Sequence, residues 1–152
     1  MRVNVLIVED NQTKRTEIEK TVVTLLNAEV LGVSTVRQAY KSIELKPWDL
    51  IILDMTFQVT PEAGNESAKE ALAGIEILQF MGRRRIDTPV IVATQHNSFS
   101  NIEVPDINSI AELDQLLRDL FPENYRTTVE VDLSEEGWKT ELQKQIIAAL
   151  KR

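Results

Sequence analysis

Three features of this 152-residue chain predict an α/β fold built on one mainly parallel sheet, with helices on both faces. Strand and helix patterns alternate from one end to the other, and parallel neighbours need crossover connections of that kind. The early strand candidates are near-continuous apolar runs, as expected of strands buried on both sides. The length suits a single domain with one substantial core, and no linker, repeat or second domain interrupts the pattern.

Val3 to Val8 (VNVLIV) reads as the first buried strand. Beyond Glu9, Asp10 and Asn11, the residues Ile18, Val22, Leu25 and Leu26 fall at helical spacing. Ala28 to Val33 makes a second strand. Val36, Ala39, Tyr40 and Ile43 then recur at i, i+3, i+4 and i+7, marking a helix that Lys46 and Pro47 stop. Asp49 to Leu53 is the third strand and ends at Asp54. A long polar stretch leads into a helix carrying Leu72, Ile75 and Leu78, which ends near Gly82.

Pro89 to Ala93 (PVIVA) is the fourth strand, followed by an irregular stretch from Asn97 to Asp106. Ser109-Ile110-Ala111-Glu112 fits the S-x-x-E capping box; Ile110, Leu113, Leu117 and Leu120 form a stripe behind it, and Pro122 closes that helix. Thr128 to Leu133 alternates as a fifth strand. Ser134 with Glu135 and Glu136 reads as an N-cap and acidic first turn. Trp138, Leu142, Ile146 and Leu150 line one face of a last helix, expected to end the chain at Lys151 and Arg152.

Composition narrows the function. At 43% hydrophobic and 27% charged residues, the chain matches an ordinary globular protein rather than a disordered one. It has no cysteine, which removes disulfides, zinc-thiolate sites and thiol nucleophiles and suits a cytoplasmic location. No apolar run is long enough to span a bilayer, and the N-terminus enters a strand directly, so neither a membrane nor a signal peptide is expected. A net charge of -7 argues against nucleic acid as partner. The one dense basic cluster, Arg83, Arg84 and Arg85, reads as the solvated end of a helix, where cations suit the dipole.

In open parallel sheets, ligands gather at the carboxyl ends of the strands. Those positions hold Glu9 and Asp10 after the first strand, Asp54 after the third and Thr94 after the fourth. Three carboxylates converging there would repel one another unless a cation neutralised them, and hard oxygen ligands suit Mg²⁺. A carboxylate beside such a metal can attack a phosphoryl group, and the Thr94 hydroxyl could bond a phosphoryl oxygen. The blander readings are that Glu9 and Asp10 favour a helix N-terminus, that His96 is an ordinary loop residue, and that Trp48 and Trp138 serve packing.

The segments VLIVEDN (Val5 to Asn11), DLIILDM (Asp49 to Met55), GIEILQFM (Gly74 to Met81) and PVIVATQH (Pro89 to His96) together resemble the receiver domains of two-component response regulators. The resemblance implies a doubly wound five-stranded parallel sheet of order 2-1-3-4-5. It further implies that Glu9, Asp10, Asp54 and the backbone carbonyl of Thr56 hold Mg²⁺, that Asp54 is the phosphoacceptor, and that Thr94 is the switch hydroxyl. The phosphoryl donor would be a sensor histidine kinase or a phosphotransfer protein, and output would pass to a separate effector protein.

Three departures stand out. Receivers usually carry a lysine just after strand five; here Ser134 stands in its place, and Lys139 lies more than a helical turn further on. The segment from Phe57 to Ala73 is about a dozen residues longer than usual. The region 97–127 is remodelled, and the fifth strand offers Val129 and Val131 where an aromatic residue usually joins the threonine in signalling. That remodelled face leaves a homodimer open.

The leading expectation is a stand-alone phosphoacceptor module rather than an enzyme acting on other molecules. The alternative is a pseudo-receiver that binds proteins without turning over phosphate. Toprim-type nucleases and haloacid-dehalogenase-type phosphatases want an Asp-x-Asp motif, which Asp54-Met55-Thr56 does not supply.

Overall fold

The computed structural model describes residues 2–55, 73–95 and 109–151. Five strands and five helices alternate: β1 (Val3–Val8), α1 (Gln12–Leu25), β2 (Ala28–Val33), α2 (Val36–Leu45), β3 (Leu50–Leu53), α3 (Ala73–Arg83), β4 (Val90–Thr94), α4 (Ile110–Leu120), β5 (Tyr125–Glu130) and α5 (Gly137–Leu150). All pairings are parallel, and the strand order is β2-β1-β3-β4-β5, as the sequence resemblance implies.

Alternation along each strand builds two cores. Side chains on successive residues face opposite sides of a sheet. Val5 and Ile7 of β1, Leu50 and Ile52 of β3, and Ile91 and Ala93 of β4 therefore pack with Ile18 and Val22 of α1 and with Trp138, Leu142 and Ile146 of α5. Leu6, Val8, Ile51, Leu53, Val90 and Val92 face the other way, onto Ala39 and Ile43 of α2, Ile77 and Leu78 of α3, and Leu113 and Leu117 of α4. β3 and β4 are consequently buried at every position, and they read as near-continuous apolar runs. Edge strand β2 instead alternates between half-buried and exposed positions until the buried Val33.

Several helix starts follow from side-chain caps. Asn11, Thr35 and Ser109 accept hydrogen bonds from the backbone N–H of Lys14, Gln38 and Glu112, respectively, fixing where α1, α2 and α4 begin. The exposed arginines 83–85 form the solvated end of α3, as expected. Trp48 and Trp138 are buried packing residues. No helix among the described residues is long and apolar enough to cross a membrane.

Three sequence expectations are corrected. Strand β5 spans Tyr125–Glu130, three residues earlier than Thr128 to Leu133. Tyr125 already pairs with Val90, while Asp132 turns the chain by accepting from Ser134 and Glu135. For the same reason Ser134 does not cap α5; its hydroxyl bonds Asp132 at 2.6 Å, and the helix starts at Gly137 without a side-chain cap. The α3 expectation holds for Ile75, which is half-buried against the core, and for Leu78 within it, beside Gly74, Ile77 and Met81, while Leu72 falls outside the described residues. On α4, Leu120 is exposed, and the half-buried Leu116 sits against the core instead.

Gly74 is a tight joint between α3 and the end of β3. Its N–H donates to the Met55 carbonyl at 3.0 Å, and a Cβ there would lie 2.9 Å from Met55 Cα and 2.8 Å from its Sδ. A side chain would push the first turn of α3 away from the backbone that follows Asp54. Gly74→Ala is expected to cost about 1–3 kcal/mol of stability in urea unfolding. Gly82→Ala, with nothing within 4 Å of the added carbon, should be neutral or stabilising by up to about 1 kcal/mol.

Candidate functional site

Strand register assembles the site. Val8 pairs with Leu53 and Leu53 with Val92, so the residues that follow come together at one sheet edge. Glu9 N–H donates to the Val33 carbonyl and Asp54 N–H to the Val8 carbonyl, both at 2.9 Å. Carboxylate oxygens of Glu9, Asp10 and Asp54 all lie within 4.8 Å of one another. Glu9 and Asp54 are buried, and Asp10 is half-buried. Thr94, the last residue of β4, is fully buried, and its hydroxyl has no hydrogen-bond partner. Thr56 and His96 fall outside the described residues.

A residue that the sequence pattern did not single out occupies the middle of this cluster. Lys14, in the first turn of α1, is only 2% exposed. Its ammonium lies 2.6 Å from Glu9 Oε1 and 3.4 Å from Asp54 Oδ1, and it donates to the Ala93 carbonyl at 2.9 Å. The sign that could have revealed it is its phase. Lys14 stands four residues before Ile18 and heads the buried face that continues through Thr21 and Val22. The Asn11 cap fixes that phase, and helical side chains lean towards the N-terminus, which carries the ammonium to the strand ends.

Neighbouring bonds set the orientation of the carboxylates. Asp54 Oδ1 accepts from Met55 N–H at 2.8 Å, and Glu9 Oε2 from Asn11 N–H at 3.1 Å. Arg15 donates to the Glu9 carbonyl at 2.8 Å. Glu9 Oε1 has no aligned hydrogen-bond donor, so the ammonium meets it as a charge contact. After strand five, Lys139 is held by Glu136 and Glu17 and Ser134 by Asp132, so neither serves this cluster. Thr94 pairs with Glu130, and its carbonyl accepts from Val131 N–H at 2.7 Å. Tyr125, the aromatic residue of β5, sits at the opposite end of the strand beside Val90. An aromatic partner for Thr94 is thus absent from the described part of β5, as the sequence suggested.

One ammonium cannot neutralise two buried carboxylates. Burial first, and then the charge of Asp54, lift the Glu9 carboxyl from 4.5 to about 8 despite the Lys14 ammonium beside it. Burial likewise raises Asp54, against the opposing pull of Lys14. The surplus negative charge is the kind that a proton or a metal cation relieves. Three convergent carboxylates, one with an oxygen lacking an aligned donor, fit a hard divalent cation such as Mg²⁺.

Two measurements check this account. Because Glu9 in the folded chain keeps its proton up to about pH 8 while the unfolded chain releases it near 4.5, the folded state binds more protons across that window. In metal-free buffer its contribution to stability is complete below that window and falls as pH rises through it, by at most about 1.4 kcal/mol per pH unit. The difference in urea stability between wild type and Glu9→Gln should decline accordingly; a flat difference refutes it. Thr94→Val removes a buried, unpartnered hydroxyl and should raise the stability of the unliganded protein by about 1 kcal/mol.

No family model matches the chain. It is 33% identical over 102 residues to the Detocs response regulatory protein DtcB of Enterobacter cloacae (strain JD6301), covering 65% of this chain and 67% of that protein. Among solved structures, it superposes on the receiver domain of the Francisella response regulator 1452 with a TM-score of 0.65, at 16% identity over 99% of this chain and 98% of that one. It also superposes, with a TM-score of 0.59, on the receiver domain of the sensor histidine kinase PA1611 from Pseudomonas aeruginosa PAO1. That structure, 20% identical and covered in full by both chains, holds a magnesium ion coordinated in its active site cleft. By its DtcB relative and its five-stranded fold, the chain belongs to the response-regulator receiver family.

Proposed function

We propose that this receiver accepts a phosphoryl group on Asp54 with Mg²⁺ and signals by changing a protein–protein interaction. The observation that carries the proposal is a buried Asp54 within 4.8 Å of two further carboxylates, at the same sheet edge as a buried hydroxyl that has no partner. Glu9, Asp10 and Asp54 would hold the metal, with the Thr56 carbonyl as a further ligand outside the described residues. When bound, Mg²⁺ would offset the surplus negative charge and polarise the incoming phosphoryl group.

The chain's own groups have separate tasks. An Asp54 carboxylate oxygen forms the new O–P bond while the P–N bond of a donor phosphohistidine breaks, and the electron pair leaves with the imidazole nitrogen. The Met55 N–H, at 2.8 Å from Oδ1, orients the Asp54 carboxylate. The Thr94 hydroxyl would donate to a phosphoryl oxygen and so gain the partner it lacks. Donor and reader are a sensor histidine kinase or phosphotransfer protein and a separate effector protein. Occupancy of the site alters the end of β4, from which the segment leading to α4 departs.

Beryllofluoride, a mimic of the acyl phosphate, tests the proposal without requiring the cognate kinase. In amide NMR with Mg²⁺ present, it should produce saturable shifts around Asp54 and Thr94 in the wild type and none in Asp54→Asn. A wild-type spectrum that stays unchanged sinks the phosphoacceptor role and leaves a phosphate-independent binding module.

A further inference from the structure

Lys14 is among the largest fully buried side chains of the described residues, and its ammonium is in ion-pair contact with Asp54. Buried ammonium groups are costly to desolvate. An apolar side chain at the head of the stripe formed by Ile18 and Val22 would cover the core without that cost. Neutralising the carboxylates is a partial reason for the lysine, yet it leaves a surplus charge in place. The placement of the ammonium is more specific than neutralisation requires. It joins the ends of three strands: Glu9 after β1, Asp54 after β3, and the Ala93 carbonyl next to Thr94 in β4.

We propose that the Lys14 ammonium, delivered from the first turn of α1, binds the phosphoryl group carried by Asp54. This inference rests on Asp54 being the phosphoacceptor. No cationic side chain from the end of β5 competes for the role among the described residues: Ser134 is bonded to Asp132, and Lys139 is held by Glu17 and Glu136. The nearby guanidinium of Arg15 is engaged by the Glu9 carbonyl. Phosphorylation adds anionic oxygens one O–P bond beyond the carboxylate that Lys14 already faces at 3.4 Å. A lysine stem is flexible and its ammonium has three donors. It can keep the Glu9 contact while exchanging Asp54 Oδ1 for a phosphoryl oxygen, with no proton transferred. That exchange also changes the pull on the Ala93 carbonyl, which links the charge on Asp54 to the β4 backbone beside Thr94.

The test is a pair of NMR titrations on the full chain, Mg²⁺ alone and then beryllofluoride at saturating Mg²⁺, for wild type and Lys14→Met. Losing a charge-assisted hydrogen bond should weaken beryllofluoride binding by about tenfold or more. Mg²⁺ affinity should hold or increase, because a competing cation has left the acidic cluster. Opposite signs of this kind cannot come from a packing defect, which would weaken both. Equal beryllofluoride affinity in the two proteins overturns the inference while leaving Asp54 as phosphoacceptor, and so does a joint loss of both affinities. If the wild type itself fails to bind beryllofluoride, the Asp54 assignment fails first and the role of Lys14 falls with it. Should Lys14→Met not fold, wild-type protein with isotope-labelled lysine side chains decides the matter. The Lys14 ammonium resonance must move on adding beryllofluoride beyond its shift with Mg²⁺ alone, and an unmoved resonance overturns the inference.

Discussion

Two carboxylates buried around one ammonium, at the carboxyl edge of a parallel sheet, are the constraint to which the rest of this structure answers. Glu9 and Asp54 meet because Val8 and Leu53 are paired in register, and a slip of one residue would separate them. The ammonium reaches them because Asn11 caps α1 three residues before Lys14 and sets its phase. On the other side, α3 closes onto Met55 because Gly74 has no side chain to hold it away. A register, a cap and a glycine thus converge on one buried, low-dielectric edge, where each charge acts far more strongly than it would in water.

Most of the fold was legible because its strongest signals are local. Strands β1 and β2 and the buried face of α2 lie where their apolar patterns place them. Legibility faded where side chains compete with pattern. The alternation through Val129 and Val131 continues past the end of β5, but Asp132 binds Ser134 and turns the chain, something that hydrophobic periodicity cannot register. On α4 the stripe was misphased by a single residue, since Leu120 is as apolar as the neighbouring Leu116 that actually packs.

The candidate site divides along the same line. Glu9, Asp10, Asp54 and Thr94 could be found because strand ends in an open parallel sheet are where ligands bind, whatever the details of packing. Lys14 could not be found that way. A lysine in the first turn of a helix is ordinarily solvated, and only its alignment with Ile18 and Val22 betrays that it points inward. Among the described residues the ammonium beside Asp54 does not come from the segment after the fifth strand. The positive charge reaches the pocket from α1, across the sheet face shared with α5.

The arrangement is costly to the unliganded protein, and the cost is informative. Glu9 is held in a place that favours its protonated form, an ammonium is withdrawn from water, and the Thr94 hydroxyl is buried with nothing to bond. A chain shaped for stability alone would fill this edge with apolar side chains, as it does one residue earlier on β1, β3 and β4. The three defects share a remedy: a ligand that brings positive charge to the carboxylates and acceptor oxygens to the ammonium and the hydroxyl. A divalent cation with a phosphoryl group meets both demands, and neither component does so alone. The backbone between Ala93 and Thr94 is tied to Lys14 on one side and to Val131 on the other, which on the proposed function would couple the filled site to the junction of β4 with β5. On that reading, a route from the site to the surface would need no aromatic side chain opposite Thr94.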